Sequence, residues 1–149
     1  MDFEDPADDS AALARRVADA LISREGVAKV WGHEIEEARE GYARVAMRLG
    51  PEMLNGFEIA HGGMLFALAD SAFAYACNSR NEASVAQSAS ICFIDSGRPG
   101  ERLVAEAQER VLKGRTGVYA VTITGEDGRV IAEFQGLSRT IGRRILDGD

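Results

Sequence analysis

In the stretch NGFEIAHGGMLFALAD, from Asn55 to Asp70, one carboxylate stands inside a run that is otherwise apolar from Met64 onward. An acid among apolar side chains is costly, and it persists where it finds buried donors or performs chemistry. Asp70 can act as a general base on water, as a nucleophile forming an anhydride, or as a cap for a buried donor. His61, Gly62 and Gly63 immediately precede the apolar run. Gly62 therefore falls in a first helical turn, where amides lack intrahelical acceptors and the helix dipole is positive. A bare N–H there can hold an oxyanion, and the absence of a Cβ lets a carbonyl approach closely. The alternative for these glycines is a steric role alone. Asn55, in an Asn-Gly pair, is either a turn residue or an amide that positions a water or the His61 loop. His61 is expected to orient the helix start rather than to be the main base.

Spacing adds a constraint. Gly62 and Asp70 are eight residues apart, or about 12 Å along a helix. An oxyanion donor and a base serving one carbonyl must both come within about 3 Å of the reacting atoms. One helix does not easily bring both there. If both are catalytic, Gly62 of one chain faces Asp70 of a second, which predicts a symmetric homodimer with shared sites.

The elements that must position these groups are legible from periodicity. With 149 residues, 46% of them hydrophobic, the chain is sized for one domain with a real core. Residues 1–9, MDFEDPADDS up to Ser10, are expected to be an acidic disordered tail, and residues 10–149 one domain. SAALARRVADALISR reads as a surface helix capped by Ser10, with Leu13, Val17, Leu21 and Ile22 near one face. GHEIEEAREGYARVAMRLG reads as two strands joined at Glu40-Gly41. From Met64 to Cys77 only Asp70 and Ser71 are polar, so this helix must be wrapped by other elements. VAQSASICFIDSG, ERLVAEAQERVLKG, GVYAVTITGEDG and RVIAEFQGLSRTIG then read as four strands. Periodicity alone supports an α+β domain with one buried helix against an antiparallel sheet.

Several function classes drop out. A formal net charge of -7 argues against nucleic acid as a partner. G-x-S-x-G, G-x-x-x-x-G-K-[ST] and G-x-G-x-x-G are all missing. Only His33 and His61 are present, so no metal site is expected. Cys77 and Cys92 form no C-x-x-C pair and read as two small buried hydrophobes. No apolar run approaches the ~18 residues of a membrane span, and the amino end is acidic rather than signal-like, so no membrane partner and a cytoplasmic location are expected.

The run LNGFEIAHGGMLFALADSAFAYACNSR, with its N, HGG, LAD and AFAYACNS, resembles the signature of the hotdog-fold acyl-CoA thioesterases of the phenylacetic acid degradation (PaaI) type. The order of elements agrees from Gly26 to Gly142. The resemblance implies a curved antiparallel sheet wrapped around one long apolar helix, with the amino-terminal helix on the surface. It implies hydrolysis of aryl- or arylacetyl-CoA thioesters, of the phenylacetyl-CoA or hydroxyphenylacetyl-CoA kind. No cofactor is implied, coenzyme A being part of the substrate. Carried onto this chain, the Gly62 amide polarises the thioester carbonyl, the partner subunit's Asp70 activates water, and Asn55 and His61 support them. The family implies a homotetramer. Gly63 and Phe66 are expected to bind substrate, Met64, Leu65 and Phe66 being candidates for an apolar aryl slot that core packing explains equally well, with Lys113, Arg115 and Thr116 of LKGRTG near the coenzyme A phosphates. The chain departs from the family pattern at Cys92-Phe93-Ile94-Asp95-Ser96, at the rim of the pocket.

Two other readings compete. A hydratase or dehydratase on the same fold resembles a different pattern, an Asp followed five residues later by His, and here that position is Tyr75. A non-catalytic acyl-CoA binding module differs in that Asp70→Asn would spare its function.

Overall fold

The computed structural model describes residues 5–148. Helix α1 spans Pro6–Arg24 and a short α2 spans Gly26–Trp31. Strands β1 (Glu34–Arg39) and β2 (Tyr42–Arg48) follow, then a single 3-10 turn at Pro51–Met53 and helix α3 (Gly62–Cys77). Strands β3 (Ser84–Phe93), β4 (Arg102–Lys113), β5 (Thr116–Thr124) and β6 (Val130–Thr140) complete the domain. The six strands form one sheet in the order β1-β2-β4-β5-β6-β3, and every neighbouring pair is antiparallel. The chain leaves α3 into β3 at the far edge and returns through β4 to β6, so α3 lies across the inner face, which is the hotdog arrangement.

Patterning explains the wrap. Burial in β5 alternates residue by residue, so Tyr119, Val121 and Ile123 point at the helix while their neighbours face outward. On β4 the inward positions are Leu103, Ala105 and Ala107. Small residues there let a whole helix lie close to the sheet. From α3, Leu65, Leu68, Ala69, Ala72, Phe73 and Ala76 fill that face. Truncating the fully buried Leu68 to Ala would cost about 3 kcal/mol. Gly136 on β6 is the tightest point of the fit: a Cβ there would lie 2.7 Å from the Phe73 ring. That ring also stacks in tilted fashion on Tyr119 and Phe134, 5.5 and 5.9 Å between centroids.

The end of α3 is tied to the sheet by polar groups. Asn78 accepts from the Ser84 amide at 2.8 Å and donates to the Ser84 carbonyl at 3.2 Å, fixing where β3 starts. Arg80 meets Glu109 through two bonds of 2.7 and 2.9 Å, and Tyr119 donates to the same carboxylate at 2.8 Å.

Two sequence expectations are corrected here. Helix α1 begins at Pro6, with Asp5 accepting from the Ala7 amide at 3.0 Å, rather than at Ser10. Proline suits the first helical position and Asp is as good a cap as Ser, so residues 6–9 are helical behind the Asp5 cap. The rest of the expected tail, residues 1–4, lies outside the described residues. Cys92 is exposed on β3, whereas Cys77 is buried as expected. Cys92 lies on an edge strand, and its neighbours Ile91 and Phe93 rather than Cys92 itself face the core and α3. Helix α2 has no counterpart in the sequence reading, because six residues are too few to show a period.

Candidate active site

The chain reaches α3 through a loop that is hydrogen-bonded throughout. Asn55 accepts from the Phe57 amide at 2.8 Å and from the Ile59 amide at 3.4 Å through its side-chain oxygen. Its own amide donates to the Ile59 carbonyl at 2.8 Å. The Asn55 oxygen is therefore spent on the turn, and its NH2 group is the half that remains to serve a substrate or a water. The His61 amide donates to the Met53 carbonyl and the Ala60 amide to Gly97, both at 2.9 Å, which locks the helix entry.

His61 is the N-cap of α3: its Nδ1 accepts from the Gly63 amide at 2.9 Å. A lone pair on Nδ1 puts the proton on Nε2. Gly63 lets the imidazole fold back, since a Cβ there would stand 3.0 Å from Nδ1. The Met64 and Leu65 amides both point to the His61 carbonyl, at 2.9 and 3.3 Å. Of the amides in the first turn, that of Gly62 alone has no acceptor among the described residues. The Phe93 ring lies over it, 2.9 Å from where a Gly62 Cβ would be.

Asp70 comes two turns later. It is half-buried, and its carboxylate has neither a hydrogen-bond donor nor an ion-pair partner among the described residues. Burial pushes its pKa above the ordinary Asp value, and the negative charge of Glu25 raises it further. Besides Met64, which packs in part against the core, the accessible positions of α3 are Gly62, Gly63, Phe66, Ala67, Asp70 and Ala74, which recur at helical spacing. One face of an otherwise enclosed helix is thus open, and it carries both Gly62 and Asp70. Phe66 borders it, packed edge-on to Phe134 at 5.3 Å.

Behind Asp70 lies a polar cluster that the sequence reading did not single out. Ser71 donates to one Glu25 oxygen at 2.7 Å and Tyr75 donates to the other. His33 Nδ1 stands 3.2 Å from Ser71 Oγ. The single Ser71 proton goes to Glu25, so His33 must donate to Ser71 from Nδ1. That direction is the reverse of what a nucleophilic serine requires, because the imidazole cannot also take the Ser71 proton. Burial holds His33 below its ordinary pKa against the opposing pull of Glu25. The signal that could have revealed this cluster was Ser71 and Tyr75, four apart in an apolar helix. Cys77 offers no alternative nucleophile, since burial, then the Asp70 charge, push its thiol up to about 12.

Lys113, Arg115 and Thr116 lie elsewhere in the chain. Lys113 pairs with Thr116 to close a hairpin whose turn holds Gly114 at φ +59°. Thr116 lies opposite Arg139, and Arg139 opposite Val85, so the hairpin stands at the Ser84 end of β3. Gly62 stands at the Phe93 end, and a ten-residue strand separates the two by about 30 Å. Within one chain these residues are not brought together with Gly62 and Asp70.

Comparison with known proteins shows the family. The thioesterase superfamily model matches residues 57–132. The chain is 43% identical over 128 residues to the acyl-coenzyme A thioesterase PaaI of Escherichia coli, covering 86% of this chain and 91% of that protein. The solved structure of the E. coli PaaI protein from the phenylacetic acid degradation operon superposes with a TM-score of 0.88 at 41% identity, covering 90% of this chain and 97% of that one. A hypothetical thioesterase from Streptococcus pneumoniae, solved with coenzyme A, superposes with a TM-score of 0.72 at 28% identity, covering 75% of this chain and 90% of that one. An open helix face with a free amide and an unpaired carboxylate, on this sheet and with these relatives, has one consistent account: the chain belongs to the thioesterase superfamily, in its PaaI-type hotdog branch, and is a thioester hydrolase.

Proposed function

We propose that the protein hydrolyses acyl-CoA thioesters of the aryl or arylacetyl kind, with Asp70 as general base and the Gly62 amide as oxyanion donor. The observation that carries this reading is that the one free amide of the α3 start and the one unpartnered carboxylate of α3 share its accessible face. Water attacks the thioester carbonyl carbon while Asp70 takes its proton. Negative charge gathers on the carbonyl oxygen, toward which the Gly62 N–H donates. The tetrahedral intermediate then collapses, the C–S bond breaks, and the proton held by Asp70 passes to the leaving sulfur. The free Asn55 NH2 and His61 Nε2–H are donors suited to holding the water and the loop. The reaction as written uses no metal or cofactor, and acyl-CoA as substrate goes with a cytoplasmic location.

Two copies complete each site in this reading. Strand β3 is an edge strand of ten residues without a charge, and most of it is exposed on both faces. Soluble proteins protect such edges with charges or cover them. A second copy pairing antiparallel along β3 covers both the edge and the open face of α3. That arrangement sets the Phe93 end of one strand beside the Ser84 end of the other. It carries the basic end of the partner's sheet toward Gly62 of this chain. There Lys113 and Arg115 are joined by Arg139 and by Arg143 and Arg144, which line a cleft with Glu82 and Thr140. This collection of cations in an acidic protein suits the coenzyme A phosphates. A homodimer is thereby the minimal working unit, and pairing of dimers gives the tetramer.

The aromatic acyl preference draws on Phe66, Phe93 and Phe57, which are exposed around the helix start at 36%, 56% and 87%. Such rings favour an aryl group edge-on. Release of free coenzyme A from phenylacetyl-, hydroxyphenylacetyl-, benzoyl- and straight-chain acyl-CoA tests the preference. Arylacetyl thioesters are expected to give the highest kcat/KM, and a ranking led by long straight chains would contradict the aryl assignment.

A further inference from the structure

We propose that Glu25, at the elbow between α1 and α2, is a positioning residue for Asp70, gripping α3 through Ser71 and Tyr75 and setting a negative charge behind its open face. This rests on Asp70 being the base.

Glu25 belongs to the amino-terminal helical arm, remote in sequence from α3, yet its two carboxylate oxygens are both engaged there. One receives the Ser71 hydroxyl at 2.7 Å and the other the Tyr75 hydroxyl. Ser71 is the residue after Asp70, and Tyr75 is one turn further on. Two bonds to one helix over that span fix both the rotation of α3 about its axis and its height against the arm. The direction in which Asp70 leaves the helix is fixed with it.

The charge reaches Asp70 because nothing cancels it. No Lys or Arg among the described residues pairs with Glu25. The side chains of Arg24 and Lys29, its neighbours on α1 and α2, make no bond to its carboxylate, although the Lys29 amide donates to the Glu25 carbonyl at 3.4 Å. His33, in the segment before β1, interacts with Glu25 and could become cationic. Its Nδ1–H is committed to Ser71, and its Nε2 is buried without a partner. A second proton on Nε2 would have no acceptor, so His33 stays neutral. The side-chain bonds that Glu25 accepts from α3 are those of the Ser71 and Tyr75 hydroxyls, and burial, then the bond to Glu25, hold Tyr75 above its ordinary pKa. Asp70 in turn meets Glu25 from the arm and the neutral Cys77 thiol from its own helix. The anionic arm thus disfavours a second anion on the open face. A carboxylate held in that state binds a proton more tightly and is the stronger base toward water.

The test is the pH dependence of kcat/KM for phenylacetyl-CoA in the full-length wild type, Glu25→Gln, Glu25→Met and Tyr75→Phe. Removing the charge is expected to move the acid limb to lower pH in both Glu25 variants. Glu25→Met keeps the volume without burying an amide, and so covers the case in which Glu25→Gln does not fold. Tyr75→Phe breaks a bond but keeps the charge, and its limb is expected to stay where the wild-type limb lies. A limb unmoved in the Glu25 variants, or moved equally in Tyr75→Phe, overturns the role of Glu25. Persistence of the same limb in the residual activity of Asp70→Asn, measured alongside, would instead overturn the assignment of the base.

Discussion

Gly62 and Asp70 lie on the same accessible face of α3, two turns apart, and neither the Gly62 amide nor the Asp70 carboxylate has a partner among the described residues. A folded chain ordinarily satisfies such groups. Leaving both open on one face is the structural basis for every functional prediction below.

A side chain at Gly62 obstructs the approach to its amide. Its Cβ would press on the outer end of the Phe93 ring, which is free to swing away because Phe93 is exposed. Gly62→Val should therefore fold with a circular dichroism spectrum like that of the wild type, while kcat/KM falls by about 10²-fold or more.

Complementation tests the proposal that sites are shared between chains. Equal mixtures of Gly62→Val and Asp70→Asn subunits, allowed to exchange, form mixed dimers in which one site is intact. Turnover is expected to recover to about a quarter of the wild-type value. No recovery, with exchange verified by mass spectrometry, means that both groups act within one chain.

The raised pKa of Asp70 has a stability counterpart. Burial, then the Glu25 charge, make the folded state bind the Asp70 proton more tightly than the unfolded chain does. Its contribution is complete below the unfolded pKa and is lost as pH rises through the folded pKa. At neutral pH the ionised Asp70 is thus a cost, and Asp70→Asn should raise Tm there. The gain should shrink as pH falls below the ordinary Asp range, which thermal melts across pH will read.

Glu109 behaves oppositely. The bonds from Arg80 hold its pKa below the usual carboxylate value, with Tyr119 helping and burial opposing. Its contribution is present above the unfolded pKa and is lost as pH falls through the folded one. Glu109→Gln should destabilise by about 2 kcal/mol at pH 7 in urea melts, with a smaller difference at acid pH.

Gly136→Ala tests how the helix seats. With Phe73 only 2.7 Å from the added carbon and itself enclosed, the ring cannot yield. A loss of about 1–3 kcal/mol is expected.

The fold was largely legible, because its two periods are clean. Alternation marks β4 to β6, and the run from Met64 to Cys77 has so little polarity that only an enclosed helix fits it. The helix start was readable too, since His-Gly-Gly before an apolar run has few physical uses. Less legible were features made by tertiary contact. Asp5 took the cap assigned to Ser10, and the burial expected of Cys92 failed because strand order, which composition does not encode, put β3 at an edge. The Glu25 cluster joins residues 46 and 50 positions apart, a distance at which spacing carries no signal. Lys113 and Arg115 could be recognised as a basic turn, but their distance from Gly62 within one chain could not.

The most direct test compares wild type and Asp70→Asn for release of free coenzyme A from phenylacetyl-CoA at saturating substrate, alongside calorimetric binding of coenzyme A. The account predicts a kcat about 10³-fold lower in Asp70→Asn with coenzyme A binding retained. Equal turnover by the two proteins would contradict it.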